Sequence, residues 1–254
     1  MITMEQQPLV SVVMPCYNTE RFIAKSIESV IGQTYANWEL LITDGPSNDS
    51  TASIVKRYCE QDQRIHLITP TKHQGIAEAR YTSIQHSQGR YLAFLDSDDI
   101  WVNDKLEKQV KFMQEHGYAF TYGNYEIIDS DGKKTGKTIH NGGIVDYNRY
   151  LKNTILGCGS VMLDKEQTGQ IIQPADDVND DMALWCSIMR GGIKAYPMDE
   201  VLYLYRIRND GASSHRFKMV KSVWRVYRKQ EKLSLPKSVF CFVGYVFNAI
   251  KKRL

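Results

Sequence analysis

The sequence contains no apolar run long enough to predict a membrane-spanning helix. Its longest run, "VFCFVGYVFNAI" at residues 239–250, is shorter than the about 20 residues that a bilayer requires. The N-terminal "MITMEQQPLV" also lacks the basic and apolar parts of a secretory signal peptide. We therefore expect the chain to remain in the cytoplasm.

Cysteine is scarce, with five residues at positions 16, 59, 158, 186 and 241. Their number is odd and no CxxC pair occurs, so the pattern excludes a disulfide framework and a cysteine-type zinc site. The cysteines are predicted to be free thiols in a reducing compartment. Internal repeats and low-complexity tracts are absent, and 254 residues can bury a large core as one domain with an appendage.

The charge is distributed unevenly along the chain. Residues 215–254 contain 11 Lys or Arg and a single acidic residue, Glu231, so this segment carries +10. Because the whole chain carries +3, the first 214 residues carry −7. An acidic body with a basic tail predicts an anionic partner, either a membrane surface or a nucleic acid. No nucleic-acid-binding module is recognisable, so we expect the membrane.

The basic tail is also amphipathic. Basic residues that flank aromatic ones are typical of a helix that lies in an anionic membrane interface. The side chains expected to insert are Trp224, Phe240, Phe242 and Phe247. The alternative is a C-terminal helix that packs on the domain and exposes a solvated basic face.

Up to residue 122, short apolar runs alternate with stretches of helical spacing. The runs cover residues 10–14, 39–43, 65–69, 91–95 and 118–122, and the helical stretches cover 19–33, 47–61, 75–87 and 103–116. Such alternation predicts an α/β protein with a mostly parallel sheet and helices on both faces. Ligands of such sheets bind outside the carboxyl ends of the strands.

Polar residues follow three of these predicted strands. Pro15 and Tyr17 follow the first, Asp44 follows the second, and a cluster of acids follows the fourth. After residue 122 the pattern is less regular. It predicts a hairpin with Asp131-Gly132 at its turn, strands at 159–163 and 201–206, and a helix at 180–192. We expect this second half to form the wall for a second substrate.

The acidic cluster lies in "YLAFLDSDD", where Asp96, Ser97, Asp98 and Asp99 follow an apolar strand. Asp96 and Asp98 are two positions apart, so both can point into one crevice. Clustered carboxylates without nearby His or Cys favour Mg²⁺ or Mn²⁺, and such ions commonly bridge to substrate phosphates. The alternative is a solvated acidic turn that caps the next helix.

Two enzyme classes place a DxD motif after an apolar strand. In haloacid-dehalogenase-like phosphatases the first Asp is a nucleophile near the start of the domain, and Thr or Val stands two places after the second Asp. Here Ile100 takes that place, on the fourth strand, which disfavours a phosphatase. The other class is the nucleotide-sugar glycosyltransferases.

The chain resembles the inverting family 2 glycosyltransferases of the GT-A fold in bacterial surface-polysaccharide synthesis. The resemblance covers about residues 8–215 and rests on five segments: "VSVVMPCYNTERFIAKSIESVIGQTYANWELLITDGPSNDST", "HQGIAEAR", "GRYLAFLDSDDIW", "NDDMALWCSIMRGG" and "YLYRIRNDGASS". It implies a GT-A domain at 1–214, with a nucleotide-sugar-binding half at about 8–122 and an acceptor half at about 123–214. Residues 215–254 would be a membrane-associating tail.

The resemblance also implies roles for individual residues. Asp44 would hydrogen-bond the uracil edge, and Pro15 and Tyr17 would line the base pocket. Asp96 would hold the ribose side and help to orient the metal, and Asp98 would be the metal ligand.

Four further positions belong to the predicted site. Asp181 would be the general base, although Asp176, Asp177 and Asp180 are alternatives. Gly75 and Arg80 would approach the donor diphosphate at a helix start. Arg208 stands where many relatives have a histidine, and it is either a phosphate clamp or a surface arginine.

Two minor positions allow two interpretations each. Trp101 either stacks on a sugar or anchors the helix that follows it, and residues 157–163 either contact the acceptor or form a core strand.

The acidic cluster and the family resemblance together imply an inverting, Mn²⁺- or Mg²⁺-dependent transferase. It would move a hexose or N-acetylhexosamine from a UDP-sugar to a glycan on undecaprenyl diphosphate, in O-antigen or capsule assembly. We expect it to be peripheral on the inner face of the plasma membrane. A non-enzymatic alternative is a nucleotide-sugar-binding partner of another transferase, with a degenerate site.

Overall fold

The computed structural model describes residues 7–72, 74–140, 142–171, 180–208 and 216–251. The first part of the chain, residues 10–94, alternates strands and helices as the sequence predicts. Its elements are β1 (Val10–Cys16), α1 (Ile23–Ile31), β2 (Trp38–Asp44), α2 (Thr51–Gln61), β3 (Ile65–Ile68), α3 (Ile76–His86) and β4 (Tyr91–Phe94). These strands are parallel in the order β3-β2-β1-β4. Every residue of β1 and β2 is buried, which explains their continuous apolar character.

The part of the chain from residue 100 to residue 206 extends the same sheet with strands of mixed direction. Its elements are β5 (Ile100–Trp101), α4 (Lys105–His116), β6 (Phe120–Ile128), β7 (Lys134–Ile139), α5 (Tyr147–Tyr150), a 3₁₀ turn (Cys158–Ser160), β8 (Met162–Asp164), α6 (Lys165–Thr168), α7 (Asp180–Met189) and β9 (Tyr196–Arg206). β8 lies between β4 and β6 and is antiparallel to both. β9 is parallel to β6 and antiparallel to β5.

The predicted elements are present, and they differ from the prediction in the bounds and the order of two strands. The run at 118–122 becomes a longer strand, β6, and β8 separates it from β4. The predicted strand at 159–163 begins as the 3₁₀ turn before it becomes β8. The β6–β7 hairpin is confirmed, and Gly132 at its turn has a φ of 87°, which glycine adopts at little cost.

The sheet has a hydrophobic core on each face. Alternate residues of β4 belong to different cores, so that Ala93 faces one core and Phe94 the other. The Phe94 ring contacts the α7 residue Trp185 edge-on, with 4.9 Å between ring centroids. Helices α1 and α4 cover the opposite face. This alternation follows from the two-residue period of a strand.

The chain ends in two helices that pack on the second half. Helix α8 (Arg216–Arg225) continues through a π-helical turn (Val226–Gln230), and α9 (Leu235–Lys251) follows. Val223, Val226 and Tyr227 are buried in the same core as Trp185, and the Tyr227 hydroxyl donates to the carbonyl oxygen of Leu151. The tail thus shares a core with the preceding residues, and its division at residue 215 stays a prediction about membrane association.

Candidate active site

The three acids after β4 are each paired with an arginine. The Asp96 Oδ1 accepts a hydrogen bond of 2.7 Å from Nη2 of Arg80. The Asp98 Oδ2 accepts one of 3.1 Å from Nη1 of Arg208. The third acid, Asp99, accepts one of 2.8 Å from the backbone N–H of Arg206. These partners offset the repulsion that three carboxylates in four positions would otherwise create.

Asp99 differs from its neighbours because its side chain is buried inside the fold. It is 2% exposed, and its contact with the N–H of Arg206 fixes the end of β9. Burial, together with the charges of Asp98 and Asp96, holds the pKa of the Asp99 carboxyl well above its usual range. Asp99 therefore stabilises the fold beside the site and does not face a substrate.

Asp96 and Asp98 face the crevice at the carboxyl edge of the sheet. Each carboxylate is partly exposed, and the Asp98 side chain is 24% accessible. Burial raises the pKa of Asp96 to about 6, although the charge of Arg80 opposes the rise. Ser97, between them, is buried.

Arg80 joins the acids of the first half to those of the second. Its guanidinium is 4% exposed, and its Nη1 lies 2.8 Å from Oδ1 of Asp181. Because its Nη2 contacts Asp96, one guanidinium holds both carboxylates. Asp181 lies in the first turn of α7 and also contacts the thiol of Cys158. The structure thus brings the predicted base and a predicted donor ligand together.

The segment after β9 is fixed to the acidic cluster by two arginines. Arg206 donates from Nε to the Asp98 carbonyl oxygen at 2.7 Å and from Nη1 to the carbonyl oxygens of Asp129 and Ser130. The guanidinium carbons of Arg206 and Arg208 lie 5.1 and 4.8 Å from the ring centroid of Phe22. With a 15% exposed side chain paired to Asp98, Arg208 is not a solvated surface residue.

The predicted base pocket lies where β1 and β2 end side by side. Asp44 is buried there. Its carboxylate accepts two hydrogen bonds from Ser47, one from the hydroxyl Oγ at 2.5 Å and one from the backbone N–H at 3.3 Å. The Ser47 Oγ in turn accepts from the N–H of Asn18, which has a φ of 50°. The two loops are thereby connected, and Tyr17 projects beside them as an exposed ring.

Two glycines and a proline complete this edge. A Cβ on Gly45 would lie 2.7 Å from the carbonyl oxygen of Gln74, so the loops after β2 and before α3 approach closely. Gly75 precedes the first residue of α3, and a Cβ there would meet no atom within 4 Å. Pro15 is the penultimate residue of β1 and is paired with Thr43 of β2. Pro15 and Gly75 thus lie at the ends of elements that meet at this edge of the sheet, and their roles in binding stay predictions.

The donor set fits Mn²⁺ or Mg²⁺. Asp98 offers a partly exposed carboxylate, with Asp96 two positions before it. Within the described ranges, no group of three or more His, Cys, Asp or Glu could hold a metal by itself. Mg²⁺ commonly takes one or two carboxylates and completes its coordination with water and substrate phosphates. Asp98, assisted by Asp96, would hold such an ion.

Sequence reasoning missed a network beneath the acceptor side. Trp101 is buried, its Nε1 donates to the carbonyl oxygen of Gly159 at 2.8 Å, and Nζ of Lys105 lies 4.1 Å from its ring centroid. Gln109 donates to the carbonyl oxygen of Ser160 at 2.8 Å. Trp101 thus anchors the fold, and residues 157–163 are largely core. The polar pattern of α4 gave no signal of this, since Lys105 and Gln109 are normally exposed types.

Comparison with known proteins finds close relatives. The family model described as Glycosyl transferase family 2 matches residues 11–168. The chain is 44% identical over 248 residues to TuaG of Bacillus subtilis (strain 168), and the match covers 98% of each chain. The name of TuaG describes a teichuronic acid biosynthesis glycosyltransferase.

A second relative has a more specific name. The chain is 39% identical over 245 residues to WfgD of Escherichia coli, covering 96% of this chain and 94% of WfgD. The name of WfgD is UDP-Glc:alpha-D-GlcNAc-diphosphoundecaprenol beta-1,3-glucosyltransferase.

A solved structure shares the fold. The mannosyltransferase PcManGT from Pyrobaculum calidifontis, in complex with GDP-Man and Mn²⁺, matches with a TM-score of 0.69 at 18% identity. The match covers 98% of this chain and 72% of PcManGT.

Proposed function

Because the chain belongs to glycosyl transferase family 2 and has the GT-A type fold, we propose that it transfers a hexose or N-acetylhexosamine, with inversion, from a UDP-sugar to a saccharide carried on undecaprenyl diphosphate. Family membership confirms that the chain is a glycosyltransferase. The donor and acceptor classes are proposed from WfgD, whose name states UDP-Glc and GlcNAc-diphosphoundecaprenol. The proposed product is a repeat unit of O-antigen or capsule.

One observation carries the proposed mechanism. Asp181 and Asp96 lie on the two arms of the same guanidinium, at 2.8 and 2.7 Å. A carboxylate on the acceptor side is therefore held close to the carboxylates of the donor side. Inverting transfer requires this arrangement, because the attacking hydroxyl must lose its proton opposite the leaving group.

Each residue has a role in the proposed reaction. Asp44, with Pro15 and Tyr17, binds the uridine, and Asp96 orients the ribose. Asp181 takes the proton of the acceptor hydroxyl as it attacks the anomeric carbon. Gly75 and Arg208 border the space of the diphosphate. An Mn²⁺ or Mg²⁺ ion on Asp98 would act as a Lewis acid that stabilises the departing diphosphate.

The two alternatives from the sequence are less well supported. A DxD phosphatase does not agree with family 2 membership, so that hypothesis is wrong. A degenerate binding partner would be expected to have lost acids of the site, but the sequence retains Asp44, Asp96, Asp98 and Asp181, and Arg80 holds Asp96 beside Asp181. The transferase therefore remains the proposal.

We also propose that the protein binds the inner face of the plasma membrane through α9. No helix within the described residues is both long and apolar enough to cross a bilayer. One face of α9 instead exposes apolar side chains at helical spacing, which are Leu235, Val239, Phe240, Val243, Phe247 and Ile250. Lys152 lies beside this face, with Nζ 5.5 Å from the ring centroid of Phe240. Apolar residues next to basic ones suit anionic lipid.

The expected set of inserting aromatics needs one correction. Phe240 and Phe247 are each 67% exposed, as insertion requires. Trp224 and Phe242 instead contact each other, with 5.4 Å between ring centroids, and pack against the core of the second half. They face inward because α8 and α9 cross there.

A donor screen tests the proposed function. The purified enzyme is incubated with a panel of nucleotide-sugars and a synthetic GlcNAc-diphosphate-lipid acceptor, and UDP release and glycan product are measured. We expect acceptor-dependent UDP release with a β-linked product and without free phosphate. UDP release without a product, or no turnover with any UDP-sugar, would contradict the proposal.

A further inference from the structure

A single buried arginine connects the two halves of the site. Arg80 lies on α3 in the nucleotide-binding half, whereas Asp181 lies on α7 in the acceptor half. A charged contact of 2.8 Å joins these two side chains across the halves. The pair therefore places the first turn of α7 beside the carboxylates of the donor side.

The guanidinium is suited to fix two carboxylates at once. It is planar, always charged and carries its donors in a rigid fork. Its Nη2 contacts Asp96 at 2.7 Å, and its Nη1 contacts Asp181 at 2.8 Å. Because both nitrogens belong to one rigid group, the separation of the two carboxylates is set by covalent geometry. A lysine, with one flexible ammonium, cannot reproduce this constraint.

Asp181 has a second partner besides Arg80. The thiol of Cys158 hydrogen-bonds Asp181, and burial together with the charge of Asp181 holds the pKa of this thiol well above its usual range. The thiol thus keeps its proton and can donate it. The turn that contains Cys158 is itself fixed by Trp101 and Gln109.

We infer that Arg80 is a positioning residue that acts on catalysis through Asp181, holding the base at a fixed distance from the donor-side carboxylate Asp96. This inference rests on the proposed role of Asp181 as the general base. It assigns Arg80 to the orientation of the base instead of to direct contact with the donor diphosphate, which its burial and its two carboxylate partners disfavour.

A double-mutant cycle tests the inference. The wild type, Arg80→Lys, Asp181→Asn and the double variant are compared at saturating UDP-sugar and acceptor with a radiolabelled donor, so that residual rates are measurable. We expect Arg80→Lys to lower kcat at least about tenfold in the wild-type background. In the Asp181→Asn background, the same substitution should change the residual rate less than about threefold, because residues that act as a unit are non-additive.

The outcomes separate this inference from the proposed function. An equal loss in both backgrounds, or an unchanged kcat in Arg80→Lys, would overturn the positioning role. Nearly normal turnover of Asp181→Asn would instead overturn the base assignment on which it depends. UDP affinity, measured by calorimetry, should fall much less than kcat in Arg80→Lys, whereas a residue that binds the diphosphate would lose both.

Two controls accompany the cycle. The first control is Arg90→Lys. Arg90 lies at the other end of β4 and donates to Asp164 from Nε and Nη2, so the substitution removes a comparable guanidinium contact with a carboxylate. The kcat of this variant should stay at the wild-type value. Circular dichroism and the melting temperature check that each variant folds. If Arg80→Lys does not fold, Arg80→Gln takes its place in the same cycle, because glutamine retains one donor and places no charge in the buried position.

Discussion

Nη1 of Arg208 lies 3.1 Å from Oδ2 of Asp98, the carboxylate that is proposed to bind the metal. The guanidinium therefore occupies an oxygen that a divalent ion would need. A charged diphosphate in the crevice would compete for the same arginine, since Arg binds phosphate oxygens strongly. Metal and nucleotide should accordingly favour the binding of each other.

Arg208→Ala should separate the competition of Arg208 with the metal from its attraction to the diphosphate. Without nucleotide, Mn²⁺ should bind the variant more tightly than the wild type, because Asp98 has lost its competing cation. UDP in the presence of Mn²⁺ should bind about 10- to 100-fold more weakly, the value of a charge-assisted hydrogen bond of about 1.5–3 kcal/mol. Paramagnetic resonance titration of Mn²⁺ and calorimetry of UDP measure the two affinities. Weaker Mn²⁺ binding by the nucleotide-free variant would contradict the competition.

The neighbouring acids should respond differently to substitution. Asp98→Ala is expected to abolish transfer and Mn²⁺-dependent UDP binding while the protein stays folded, because the side chain borders the crevice. Asp99→Ala should act mainly on stability, since it leaves the buried N–H of Arg206 without its acceptor. The free energy of unfolding should fall by about 1–3 kcal/mol. Urea denaturation and activity assays on both variants decide this, and equal losses of activity per folded molecule would refute the assignment.

Lys105 should impose a pH dependence on stability. Burial lowers the pKa of this side chain to about 7 in the folded protein, from a usual value of 10.5. Between these values the unfolded chain binds more protons, so the free energy of unfolding should rise with pH, by up to about 1.4 kcal/mol per pH unit.

Lys105→Met removes this contribution. The slope of unfolding free energy against pH, measured by urea denaturation from pH 7 to pH 9, should be smaller in the variant than in the wild type. Other titrating groups are common to both proteins and cancel in the difference. Lys111→Met, at an exposed position of the same helix, is the matched control and should leave the slope unchanged. Identical slopes in all three proteins would contradict the lowered pKa.

The exposed face of α9 should account for the salt-resistant part of membrane binding. Phe240→Ser together with Phe247→Ser removes two exposed rings, each contributing about 1.5–3 kcal/mol when fully buried. Co-sedimentation with vesicles that contain anionic lipid should therefore decrease at least about tenfold at high salt. At low salt the basic residues should retain part of the binding.

Ile31→Ser, an exposed apolar residue on α1, is the control for this experiment and should sediment as the wild type does. Truncation before residue 215 is a poorer test, because it also removes Val226 and Tyr227 from the core. Equal sedimentation of the double variant and the wild type would exclude α9 as the membrane-binding face.

Two features were predictable from the amino-acid sequence alone: the order of strands and helices in the first half, and the edge of the sheet at which the acids lie. Both depend on local patterns: the two-residue and 3.6-residue periods decide strand or helix, and the parallel direction brings Asp44 and Asp96 to the same edge. The family motifs were likewise contiguous segments. Such features can be read without knowledge of distant contacts.

The folded structure was needed to show which side chains pair with those acids and which side of the tail packs on the core. Arg80 meets Asp181 across about a hundred positions of chain, and Arg208 meets Asp98 across 110. Trp224 turns inward because Phe242 of the next helix covers it, although both read as members of an amphipathic pattern. These contacts form between segments far apart in sequence, and burial of a charged or aromatic side chain depends on what the folded chain places against it, which leaves no local periodic signal.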